Sequence, residues 1–206
     1  MSNRKTYPAP PIQEKEILRY AGAAKAASQE ERELMQACLA EIEKKLSYRV
    51  CWRVFPIKRE EGILDFGFAK TDSAGLRKNL EGCESCMVFA ATVGLEVDRY
   101  IRRYSRISPA KALFFQAIGT ERIEALCDVF CAEQAAELQT ERKGLRPRFS
   151  PGYGDLPLHL QKDIFRALDC TAQIGVSLNE SLLMSPSKSV TAIVGIFFEG
   201  YEHRQD

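Results

Sequence analysis

The sequence predicts an α+β fold rather than a doubly wound sheet. Three observations lead there. Met87–Val93 is apolar at every position but Thr92, the pattern of a strand buried on both faces. From Ser108 to about Gln139 the chain keeps a helical character, with Leu113, Phe114, Ala117, Ile118, Ile123, Leu126, Cys127 and Phe130 on one side. Tyr48–Ile57 and Ile63–Ala69 both read as strands with no helix between them, so they form a hairpin or lie as neighbours in one sheet. A chain of 206 residues, 45% of them apolar, suits one domain with a sizeable core. Residues 1–47 read as a helical N-terminal extension and 48–206 as the core of that single domain, 1–206.

Met1–Pro11 is polar and proline-rich, which predicts an arm with little structure of its own. Ile12–Tyr20 predicts a short helix ending near Gly22. Ser28-Gln-Glu-Glu31 is a capping-box start. Leu34, Met35, Cys38, Leu39, Ile42 and Leu46 then recur at helical spacing, predicting an amphipathic helix over 29–46. The strand Tyr48–Ile57 ends at Pro56, and Gly62 opens the second strand. Asp72-Ser73 caps a short helix, 74–80, and Gly82 leads into the buried strand. Gly94 turns that strand into a helix, 95–105, whose Arg99, Arg102, Arg103 and Arg106 form either a solvated face or a docking patch for an acidic partner.

Ser108-Pro109 is a second cap with proline at the first helical position, and Gly119-Thr120 marks a kink in the long helix that follows. Thr140–Pro147 reads as a basic connector, Leu158–Leu168 as another amphipathic helix, and Ile174–Leu178 and Ser189–Phe198 as strands. The tail from Glu199 is polar, and there is no internal repeat.

Several function classes lose support at once. Net charge is +1, which gives no electrostatic case for nucleic acid or an anionic membrane surface. No apolar run approaches the roughly 20 residues that span a bilayer, and the N-terminus has no signal-peptide core, so a cytoplasmic protein is expected. Seven cysteines in that setting read as reduced thiols. Phosphate-cradling glycine motifs are absent. Glu180-Ser181 lacks a nucleophile elbow, and the two histidines, His159 and His203, lie in polar segments, which leaves a Ser-His-acid hydrolase little to stand on. Cys83-x-x-Cys86 runs into a strand, whereas a redox pair of this type starts a helix. Those cysteines read as buried thiols. Cys127 and Cys131 share a helix face and complete a four-cysteine metal site only if that helix crosses the start of the strand.

The stretch 148–157, Arg-Phe-Ser-Pro-Gly-Tyr-Gly-Asp-Leu-Pro, has the composition of a rigid ligand-presenting loop. Pro151 and Pro157 fix φ, Gly152 and Gly154 admit positive φ, and Arg148, Tyr153 and Asp155 supply polar groups. Arg148-x-x-x-Gly152-Tyr153, followed by Gly175-x-x-Leu178-x-Glu180-Ser181-x-x-Met184-x-Pro186-x-x-Ser189-Val190, resembles the activation domain of cobalamin-dependent methionine synthase, in its shorter stand-alone form. The resemblance implies a curved, mostly antiparallel sheet packed with long helices. It implies a site for S-adenosylmethionine built from Arg148, Ser150, Pro151, Gly152 and Tyr153, with an acid from the long helix, Glu133 being preferred among Glu124, Asp128, Glu133, Glu137 and Glu141, and with Tyr201 beyond the final strand. No residue of this chain is implied to be catalytic or to bind a metal.

By the same resemblance the chain supports reductive remethylation of cob(II)alamin carried by a partner, a cobalamin-dependent methionine synthase or another corrinoid protein. A flavodoxin- or ferredoxin-type donor supplies the electron, and the chain alone turns over nothing. Two alternatives stay open: a docking module for a corrinoid protein that no longer uses S-adenosylmethionine, and a cysteine-based metal or redox protein.

Overall fold

The computed structural model describes residues 2–23 and 27–198. The chain opens with strand β1 (Asn3–Tyr7), helices α1 (Glu14–Tyr20) and α2 (Gln29–Ile42), and strand β2 (Tyr48–Pro56). Three short strands follow, β3 (Lys58–Glu60), β4 (Ile63–Asp65) and β5 (Lys70–Thr71), then α3 (Ala74–Asn79), β6 (Cys83–Thr92), α4 (Glu96–Tyr104) and the long α5 (Pro109–Gln139). The remainder is β7 (Lys143–Leu145), α6 (Leu160–Leu168), α7 (Cys170–Ile174), β8 (Ser177–Leu178), β9 (Met184–Ser185) and β10 (Ser189–Phe198).

The main sheet has five strands in the order β1-β2-β6-β10-β7. Every neighbouring pair is antiparallel, and the sheet curls into a half-barrel, as the α+β reading expects. β6 is its centre. Met87, Phe89 and Ala91 point into one apolar cluster with α1, α2, α4 and α5, while Val88 and Ala90 point into a second cluster with α6 and α7. Helices cover both faces, which is why the β6 sequence is apolar without alternation. Phe130 of α5 is fully buried in the first cluster, its ring centroid 5.2 Å from that of Trp52 and 4.9 Å from that of Phe89.

Helix starts agree with the sequence where side-chain oxygens cap them. Ser28 accepts from the Glu31 amide, Glu31 answers through the Ser28 amide, and α2 begins at the next residue. Ser28→Ala is expected to cost about 1 kcal/mol, read as a lower midpoint in urea at unchanged slope. Ser73 caps α3 through the Leu76 amide. Ser108 makes no such bond, and Pro109 alone marks the start of α5.

Several expectations are corrected. The N-terminal arm is structured: β1 pairs in register with β2, Asn3 opposite Trp52 and Tyr7 opposite Tyr48. Only Tyr7 of β1 is buried, so hydrophobic periodicity is silent there. The arm is then strapped down by a buried ion pair. Arg122 and Glu121 of α5 are 1% and 3% exposed, and the Arg122 guanidinium, held by Glu121, donates to the carbonyls of Pro10 at 2.6 Å and Pro11 at 2.8 Å. The Gln13 amide donates to Glu121 at 3.0 Å.

Ile63–Ala69 is not one strand, and it lies in a separate small sheet, β3-β4-β5. Asp65 accepts from the Gly67 amide at 2.7 Å, Gly67 takes φ 78°, and the chain turns. Lys143–Leu145, within the expected connector, adds an edge strand beside β10. The strand expected over Ile174–Leu178 is shortened to two residues: Asp169 at φ 55° ends α6, α7 makes one more turn through Ile174, Gly175 at φ 71° closes it, and Ser177–Leu178 pair as β8 with β9.

Gly119 does not interrupt α5. A Cβ there would stand 2.6 Å from Val97 Cγ1 and 2.9 Å from Lys188 Cγ, so this glycine lets α4 and the start of β10 approach closely. The arginines of α4 face solvent, with Arg99 paired to Glu96 at 2.5 Å and Arg103 set over the Tyr104 ring. Among the described residues no helix is long and apolar enough to cross a membrane.

Candidate functional site

The loop 148–157 starts as an extension of the sheet. Phe149 and Ile193 exchange backbone hydrogen bonds of 2.9 and 2.8 Å, an isolated antiparallel bridge beside β10. Because side chains alternate along an extended chain, Phe149 drops into the α6–α7 core and Arg148 points the other way, toward α5. The chain then folds back tightly. The Tyr153 amide donates to the Ser150 carbonyl at 3.0 Å and the Gly152 amide to the Leu156 carbonyl at 2.9 Å, with Gly152 at φ 86°. Pro151 is buried.

Asp155 pins the far side of the loop. Its carboxylate accepts from the Ser73 hydroxyl at 2.5 Å, the Ala74 amide at 2.6 Å and the Gly75 amide at 3.2 Å. Gly75 is required for this approach, since a Cβ there would lie 2.8 Å from Asp155 Oδ1. The Ser73 hydroxyl, with the Gly75 and Ala74 amides, holds the Asp155 pKa below its usual value. A depressed folded-state pKa means this anchor is present above the unfolded pKa near 3.9 and lost as pH falls through the folded value. The Ala74 and Gly75 amide resonances are therefore expected to stay constant from about pH 5 to 8 and to shift only below about pH 4, which an NMR pH titration checks.

Arg148 is half-buried against α5. Its guanidinium donates to Glu124 at 3.0 Å and Asp128 at 2.9 Å, two acids one helical turn apart. Burial opposes its charge, but Cys127, Glu124 and Asp128 outweigh burial and raise its pKa. Beside it a cleft of about 460 Å³ opens between α5 and the sheet edge, lined by Cys131, Ala132 and Ala135 of α5, by Leu145, Arg146, Pro147 and Arg148, and by Val194. A smaller pocket of about 170 Å³, lined by Gln13, Glu16, Tyr20, Glu121, Glu124 and Asp128, reaches the same two acids from the α1 side. Arg148 thus stands between a cleft that it shares with Arg146 and an acidic pocket.

The family model described as vitamin B12 dependent methionine synthase, activation domain, matches residues 76–202, well over half of the chain. The chain belongs to this family. Among solved structures it is similar to "Crystal Structure of the MetH Reactivation Domain bound to AdoHcy", with a TM-score of 0.65 over 95% of this chain and 78% of that one. Identity is 18%, so this likeness speaks to the fold alone. No curated protein matches the chain.

Within the activation-domain fold, the residues singled out in the sequence are only partly brought together. Arg148, Ser150, Pro151 and Gly152 share one loop, but Arg148 contacts α5 while Tyr153 lies on the Phe149 side. The Tyr153 ring is 69% exposed and meets Phe149 edge-on at 5.3 Å. Glu133 is not beside Arg148; it pairs with Lys5 of β1 at 2.6 Å. Five residues beyond Asp128 is about 140° around the helix, which turns Glu133 toward the β1 edge. The acids beside Arg148 are Glu124 and Asp128. Tyr201 lies outside the described residues.

Cys83, Cys86, Cys127 and Cys131 are not assembled. Cys83 and Cys86 sit in the α6–α7 cluster and Cys127 in the α5 cluster, on opposite faces of the sheet, so the four-cysteine arrangement does not form. Among the described residues no group of three or more metal-ligating side chains converges. Burial pushes the Cys86 thiol up to about 12 and the Cys131 thiol up to about 11, and raises Cys127 as well. All three stay protonated at neutral pH.

Proposed function

We propose that this chain binds S-adenosylmethionine in the cleft beside Arg148 and supports reductive remethylation of cob(II)alamin on a separate corrinoid protein, a methionine synthase being the first candidate. The observation that carries the reading is the charge order of the site: Arg148 at the cleft wall, with Glu124 and Asp128 at its back. The ligand has the complementary inventory, a carboxylate beside an ammonium and a sulfonium. Family membership supports the same reading, and so does the AdoHcy held by the structural neighbour, since AdoHcy is what S-adenosylmethionine becomes on losing its methyl group.

In this account Arg148 swings from its acids to take the ligand carboxylate in a bidentate contact. Glu124 and Asp128, freed, face the ammonium and sulfonium. Ser150, Pro151 and Gly152 fix the loop that carries Arg148, and Tyr153, on the Phe149 side of that loop, does not line the cleft. Cys127 and Cys131 stay protonated, so neither competes as a thiolate for the activated methyl. When bound, S-adenosylmethionine supplies a sulfonium-activated methyl group to the partner's cobalt, after one electron from a flavodoxin- or ferredoxin-type donor. This chain orients and excludes water; the corrinoid carries the chemistry.

The test is reconstitution with an oxidised methionine synthase lacking its own activation domain, a reductant and S-adenosylmethionine labelled in its methyl group. Label is expected on the corrinoid only when this chain is added. A second reading, a docking module that no longer uses S-adenosylmethionine, draws on Arg148 being already satisfied by two internal acids. It predicts binding to the corrinoid protein with no transfer of label.

A further inference from the structure

We propose that the groove between β1, β2 and α7 is a second binding site, for the phosphate group of a small phosphoester. It is separate from the cleft beside Arg148. That cleft lies near the β10–β7 edge on the α5 face, whereas this groove lies at the β1–β2 edge on the α7 face. The groove is open to solvent and holds about 540 Å³, within the range of small-molecule sites.

Its walls are cationic and lack a counter-charge. Thr6 stands directly opposite Arg49, and Arg4 directly opposite Cys51, so Arg4, Thr6 and Arg49 share the face on which Cys51 meets the α6–α7 core. Among the described residues no carboxylate lines the groove. Lys5 borders it but is engaged by Glu133. Among the described residues neither the Arg4 nor the Arg49 side chain has an ion pair or hydrogen bond, and Arg49 Nε is buried with no acceptor. A buried donor without a partner costs free energy, and this one borders a space that admits an acceptor.

α7 ends beside that guanidinium. Gly175 closes the helix at φ 71°, and a Cβ on it would come within 3.5 Å of Arg49 Nη1. Two guanidinium forks with the Thr6 hydroxyl and the Gln173 amide offer more donors than the two oxygens of one carboxylate accept. Three terminal oxygens on a phosphate suit them better.

The test is calorimetric titration of inorganic phosphate and of pyrophosphate into the whole chain at constant ionic strength, with succinate as the carboxylate control. Saturable binding of phosphate or pyrophosphate, tighter than succinate and weakened about tenfold or more in Arg49→Gln and in Arg4→Glu, is the expected result. Arg4 is exposed, so Arg4→Glu keeps the test valid if Arg49→Gln folds poorly. No saturable heat, unchanged affinity in both variants, or succinate binding as tightly as phosphate overturns the proposal. S-adenosylmethionine titrated into Arg4→Glu is expected to bind as to the parent chain, which separates failure of this site from failure of the cleft beside Arg148.

Discussion

Arg122→Ala is expected to destabilise the protein by about 3–5 kcal/mol, the largest effect of any single substitution considered. Arg122 and Glu121 are buried neighbours on α5, and removing the guanidinium leaves the Glu121 carboxylate in the interior without its counter-charge. The carbonyls of Pro10 and Pro11 lose their donors in the same step. Chemical denaturation measures the loss, and hydrogen exchange locates it: the Gln13 amide, now bonded to Glu121, is expected to lose protection first. Arg122→Met combined with Glu121→Leu is expected to be less destabilised than Arg122→Ala, because apolar replacement of both partners leaves no buried charge unpaired. A double variant as unstable as the single one would show that the strap itself, rather than the stranded carboxylate, carries the cost.

Arg148→Ala is expected to weaken S-adenosylmethionine binding by about tenfold to a hundredfold, the scale of a hydrogen-bonded contact to a charged group. Arg148→Lys is expected to recover little of it, since an ammonium does not reproduce the bidentate fork. The fold should tolerate both changes. Arg148 is only half-buried and Glu124 and Asp128 are exposed enough to be hydrated when it leaves. Equal affinity in the parent chain and both variants would remove Arg148 from the site.

Most of this fold is legible in the sequence because its long elements carry strong local signals. The capping box at Ser28, the Ser73 cap, the apolar run of β6 and the periodicity of α5 each point to what forms there. The elements that escape are those specified by partners. β1 has one buried side chain and exists because β2 offers an edge and Arg122 ties down the following prolines. β7 is three residues held by β10. α7 is an extra turn after α6, entered through Asp169 in the left-handed conformation, and it shortens the expected strand to Ser177–Leu178.

The candidate site divides in the same way. Arg148 and the Gly152-Tyr153 pair stand out as a motif within one loop. Which acids meet Arg148 depends on how the Phe149–Ile193 bridge sets the loop against one face of α5, and nothing local to α5 encodes that. Helix phase groups Glu124 with Asp128 and sets Glu133 apart, but the sequence does not say which of those faces the loop approaches.

Calorimetric titration of S-adenosylmethionine into the purified chain shows whether the cleft beside Arg148 takes that ligand. Saturable one-to-one binding, competed by AdoHcy and accompanied by a rise in the thermal midpoint, is expected. No heat and no thermal protection at millimolar S-adenosylmethionine would contradict it.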